Sequence, residues 1–260
     1  MKFRTTVLYI VLGFFALGSF NCAFKRYEKR EVSEYRISLD GKTKVTLENT
    51  NGKINVFKGD STTGLVVKAE KIAHVKKREL SEPFTEASVE IDSTSEILSV
   101  KSKIEKNKGF IKFDIDGGTK INYTITLPPG VKFSVDNTNG SVSFTNVSND
   151  LDVEIKNGSV DLENASGYNK FDLTNGKVKG KLDSTKGMII DIVNGGVNLE
   201  LDSTFSAKFN IETVNGRVKQ ENLNFTSIAS GKKSMVGRIG DSDAEVKMDI
   251  VNGKVVLKGK

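Results

Sequence analysis

The sequence predicts an all-β fold, and within that class a single-stranded β-solenoid (β-helix) with coils of about 18–21 residues. Three observations carry this. Asn-Gly recurs seven times, at Asn51, Asn139, Asn157, Asn175, Asn194, Asn215 and Asn252, and from Asn139 the spacings are 18, 18, 19, 21 and 37 residues. The flanks recur in kind. An apolar residue stands four before each Asn (Leu47, Val135, Val153, Phe171, Ile190, Ile211, Met248) and another three after it (Ile54, Val142, Val160, Val178, Val197, Val218, Val255). Composition agrees, with 24 glycines, three prolines and no tryptophan, and with polar and apolar residues alternating at the period of two of a half-buried strand.

A fixed period points to a repeat architecture. The last spacing is close to two periods and predicts one degenerate turn near Ser234 to Ile239. Asn-Gly between alternating apolar residues is also the strongest short-range hairpin signal, which would give a meander or sandwich. Equivalent flanks favour units stacked in register, each burying its face on the next.

The elements follow in chain order. Residues 1–21 read as a lipoprotein-type signal peptide: Lys2 and Arg4, then the uncharged, mostly apolar run Thr5 to Phe20. That run is short against the roughly 20 apolar residues of a membrane-spanning helix. Cys22 is the only cysteine, which excludes an intramolecular disulfide, and its place just past the apolar run marks it as the expected lipidation site. Ser19-Phe20-Asn21-Cys22 resembles the relaxed lipoboxes of spirochaete lipoproteins; cleavage after Gly18 without lipid is the alternative. Residues 22–36 then form the lipidated cysteine and a charged tether, Lys25 to Arg36 holding five basic and three acidic residues.

Loss of Lys2 and Arg4 takes the net charge from +6 to +4, and the tether holds two of those charges. The rest is a nearly balanced surface, which excludes nucleic acid as the expected partner. Residues 37–127 are a less regular N-terminal β part. Lys44 to Phe57 carries the repeat signature and Gly64 to Ala73 continues as a strand. His74 to Glu86 is a charged excursion, loop or short helix; strands resume at Ala87 to Val100 and Ile121 to Leu127. Residues 128–260 are the regular Asn-Gly array.

A third repeated position bears on function. Three residues before each Asn stands an acid: Glu48, Asp136, Glu154, Asp172, Asp191, Glu212 and Asp249. Their parity is opposite to the apolar anchors, so they point outward. With strands about 4.8 Å apart, neighbouring carboxylates repel by roughly 1 kcal/mol in water. Lys177, Lys179, Arg217, Lys219 and Lys254, just beyond the Asn-Gly pairs, are one expected offset. The other is a metal site in which Ca²⁺ bridges Asp136, Glu154, Asp172, Asp191 and Glu212, because hard cations take oxygen ligands. A solvated, salt-bridged face is the simpler reading, and no Asp-x-Asp-x-Asp-Gly loop supports the cation.

No catalytic residues and no other cofactor are expected. His74 is the only histidine and stands beside Lys76, Lys77 and Arg78 in the irregular excursion. One histidine and one cysteine leave no nucleophilic triad and no His/Cys metal site.

Taken together, the motifs are similar to those of the bacterial putative-adhesin family, a β-helical domain of unknown function. The resemblance rests on the opening unit Val45 to Phe57, the Tyr-x-Ile-x-Leu-Pro-Pro-Gly stretch at Tyr123 to Gly130, the Val-Asn-Gly-x-Val repeats and the closing strand Val246 to Leu257. It covers about residues 40–260 and is specific for fold rather than function. With the signal segment and Cys22, the expectation is an exported bacterial envelope lipoprotein, held at the outer membrane or cell surface by its lipid. Its non-catalytic solenoid would act as a binding or adhesion module for an extracellular glycan or protein. The alternatives are a structural or regulatory spacer and, remotely, a polysaccharide-acting enzyme using paired carboxylates.

Overall fold

The structure, a computed structural model, describes residues 27–104 and 118–260. The signal segment and Cys22 lie outside the described residues. The fold is all-β and forms one open sheet of fifteen strands. In chain order these are β1 (Tyr27–Ile37), β2 (Lys44–Asn51), β3 (Ile54–Lys58), β4 (Leu65–Val75), β5 (Ala87–Ser93), β6 (Ile97–Ile104), β7 (Lys120–Leu127) and β8 (Lys132–Thr145). They continue as β9 (Leu151–Glu163), β10 (Tyr168–Leu182), β11 (Gly187–Leu201), β12 (Ala207–Glu221), β13 (Ser227–Ser230), β14 (Ser234–Ile239) and β15 (Glu245–Gly259).

The Asn-Gly pairs are not hairpin turns. Each of those in β8 to β12 and β15 lies inside one long strand, and these strands pair in parallel with Asn beside Asn and Gly beside Gly. Phe133 and Phe144 are both in β8, yet their rings meet edge-on with centroids 6.5 Å apart. A straight strand would separate them by about 35 Å. β8 therefore doubles back at Asn139-Gly140, giving each strand two limbs that face one another. The apolar anchors of both limbs fill the space between, and all fourteen are buried.

The glycine answers to stacking. A Cβ at Gly158, Gly176, Gly195, Gly253 or Gly216 would collide with the carbonyl oxygen of the glycine in the neighbouring strand. Gly52, Gly140 and Gly195 also have positive φ, but Gly158, Gly176, Gly216 and Gly253 do not. A positive φ at every pair, as a tight Asn-Gly turn needs, is thus not what the fold requires. The asparagine supplies a ladder of side-chain hydrogen bonds. Asn139 donates to Asn51, Asn157 to Asn139, Asn175 to Asn157, Asn194 to Asn175, Asn252 to Asn194 and Asn215 to Asn252, at 2.9–3.0 Å.

At the N-terminal end β2 and β3 together form one more such unit on β8, with Asn51 beside Asn139. The next layer is split between β6 on β2 and β7 on β3. β5 then extends the first limb, and β4 and β1 the second, all antiparallel. Asn49, Ser102 and Tyr123 join these pieces across the core: the Ser102 hydroxyl lies 2.8 Å from Asn49 Oδ1 and 2.7 Å from the Tyr123 hydroxyl. Burial pushes the Tyr123 phenol far above its ordinary pKa.

Two expectations for the N-terminal part are corrected. Tyr27 to Arg36, read as a solvated tether, belongs to β1, which pairs along its whole length with β4. Its charges are housed: Lys29 is buried and donates to the Pro83 carbonyl at 3.0 Å, Lys71 pairs with Glu31, and both ammonium groups stack on Phe84 at 5.3 and 5.2 Å. The Lys29 stem explains the misreading, since an apolar stem under a charged tip buries well. His74 lies in β4 rather than in the excursion, beside Glu28. The excursion itself holds a single 3₁₀ turn, Lys77–Glu79.

The degenerate turn near Ser234 to Ile239 is replaced by a different topology. β13 and β14 form an antiparallel hairpin that pairs with β12, and β15 returns to insert between β11 and β12. The 37-residue spacing is the length of that excursion. The sheet order thus leaves the chain order only here in the array, and the final lysines end an internal strand.

Candidate functional site

Parity within each limb sends every second residue outward, and parallel register lines these residues up across the sheet. The acidic position forms the most complete row. Glu48 stands beside Asp136, Asp136 beside Glu154, Glu154 beside Asp172, Asp172 beside Asp191, Asp191 beside Asp249 and Asp249 beside Glu212. The row read from the repeat is therefore assembled in space, on the outer face of the first limb.

The groups that offset its charge are not the expected ones. Lys170 pairs with Asp172 at 2.7 Å and Lys247 with Asp249 at 2.8 Å, each from two residues earlier on the same face, and Lys101 of β6 pairs with Glu48. Lys177, Lys179, Arg217, Lys219 and Lys254 lie past the corner, on the outer face of the second limb. The error has a simple physical source: closeness in sequence across Asn-Gly means little once the strand doubles back there. The Lys-x-Asp spacing at 170–172 and 247–249 was a readable signal, because residues two apart in a strand share a face.

Asp191 has no ion pair among the described residues. Burial first, then the neighbouring Asp172 and Asp249 charges, hold its carboxyl above the ordinary pKa. A depression of about 320 Å³ runs beside it, between Asp172, Asp191 and Asp249 and the exposed Val193 and Val251. Among the described residues no group of three or more His, Cys, Asp or Glu is arranged to hold a metal ion.

Other asparagines serve the fold. Asn149 donates to the Pro128 and Val131 carbonyls at 2.9 and 2.8 Å, and Asn169 to the Ala165 carbonyl at 3.0 Å. Asn146 and Asn164 have positive φ in the links after β8 and β9 and bond to one another at 3.2 Å.

No family model matches the chain, and no curated protein matches it. Among solved structures it is similar to a "putative cell adhesion protein" from Clostridium sporogenes, with a TM-score of 0.48 and 16% identity over 89% of this chain and 100% of that one. It is also similar to a "putative adhesin" from Bacteroides fragilis, with a TM-score of 0.44 and 13% identity over 88% of this chain and 97% of that one.

Proposed function

We propose that the chain is an exported envelope lipoprotein, anchored through Cys22, whose sheet is a β-solenoid acting as a non-catalytic surface binding module. One observation carries the reading. The outward residues of seven Asn-Gly units stand in register across the sheet, with an unbroken carboxylate row on the first limb and a group of lysines on the second. Such rows repeat at about 4.8 Å and suit a long or repetitive ligand, as repeat surfaces generally do. Catalysis would need one distinguished pair of groups, whereas the carboxylates here recur evenly.

A spacer or assembly role is the second reading, and the free edge favours it. β13 is short, uncharged and exposed, its own Ile228 and the neighbouring Val236 of β14 both uncovered, and an uncharged edge invites strand pairing. Protease treatment of intact cells separates the two. A displayed binder is degraded before the envelope is permeabilised; an internal spacer survives until then. Mass spectrometry of the mature N-terminus tests the anchor, and an unmodified Cys22 would reject it.

A further inference from the structure

The outer face of the second limb holds a concave basic basin over β10, β11, β15 and β12. Two residues past each Asn, the order across these strands is Lys177, Gly196, Lys254, Arg217. Gly196 places no side chain between Lys177 and Lys254, which therefore stand two strands apart, about 10 Å, across an open gap. A Cβ at Gly196 would press on the Lys254 carbonyl, so close backbone stacking keeps the gap clear.

The basin has a volume of about 640 Å³, and Lys179, Lys219 and Lys258 complete its rim. Its floor is glycine backbone and Val256, which points outward by parity yet is only 7% exposed. One acid enters the rim, Glu221, at 3.8 Å from both Lys219 and Lys258. Lys177, Lys179 and Lys254 have no ion pair among the described residues, and all three are exposed. Grouped like charges repel one another and gain nothing for the fold; a ligand that brings anions relieves them. An apolar floor inside a ring of donors also matches a sugar ring, with C–H groups on its face and charge at its edge.

We propose that this basin binds an acidic polysaccharide, its carboxylate or sulfate groups on the lysines and its ring faces on Val256 and the glycine floor. The proposal rests on the binding-module reading and names its ligand class. An anionic bilayer would satisfy the charge, but a planar surface would meet only the rim of a concavity.

The test uses the full chain in detergent, with polygalacturonate (carboxylate), dextran sulfate (sulfate), uncharged dextran and phosphatidylglycerol vesicles as probes. At least one polyanion is expected to bind and uncharged dextran not. The double variant K177Q/K254Q should weaken polyanion binding about tenfold. The pair K58Q/K186Q, exposed lysines elsewhere with the same change in net charge, should stay within roughly twofold. If the double variant does not fold, K177Q and K254Q singly should each weaken binding about threefold. Equal losses in both pairs, capture by the vesicles alone, or no polyanion binding would each overturn the proposal. A chain that ignores polyanions yet holds an uncharged glycan or a protein would reject the basin and leave the binding module standing.

Discussion

At the scale of single residues, the Asn-Gly corner sets the spacing of the stack, and its two members do different work. The glycine leaves room for a neighbouring carbonyl. Gly195→Ala should therefore cost about 3 kcal/mol or more, because the colliding atom is backbone and cannot swing aside; the urea midpoint reads this out. The asparagine only links exposed side chains. Asn175→Ala removes two ladder bonds, to Asn157 and from Asn194, and should cost ~1 kcal/mol in the same assay. Asp191 gives a pH signature. Its folded pKa is raised, so its ionisation disfavours the fold at neutral pH. That cost is relieved as pH falls through the folded pKa and is absent below the unfolded pKa. Asp191→Asn should thus raise the melting temperature at pH 7, with the gain shrinking as pH is lowered into the carboxylate range. A gain independent of pH would contradict the assignment.

At the scale of elements, the arrangement of β15 decides between chain order and sheet order. Leu257 is fully buried between β11 and β12, so Leu257→Ala should cost about 3 kcal/mol. The loss would be under about 1 kcal/mol if the last strand lay at an exposed edge. The anchors at Val153 or Ile190, the acidic row and the in-register stacking were legible because each follows from local period and parity. The insertion of β15 was not, because the insertion is a non-local pairing, and Met248 to Val255 looks like any other repeat. The Asn-Gly signal itself is ambiguous: the same dipeptide that closes a hairpin can bend a continuous strand when its neighbours in space are also glycines. β1 was missed because its charges dominate the composition, while Lys29 and Tyr35 are buried in the fold.

At the scale of the whole molecule, two outward faces differ in character. The first limb carries a carboxylate row partly matched by lysines from its own face; the second carries a hollow ringed by lysines, of which Lys177, Lys179 and Lys254 have no ion pair among the described residues. The hollow was legible only in part, since Lys177, Lys179, Lys219 and Lys254 stood out in the sequence while the gap at Gly196 depends on the order of β11 and β15. A sheet built this way offers extended outward rows, and the proposed binding role uses them. The direct test is a screen of the full chain on arrays of glycans and matrix proteins. The account predicts saturable binding to a discrete set of ligands, competed by the same ligand in solution. A folded chain, shown by its β-sheet circular dichroism, that retains no ligand on either array would contradict it.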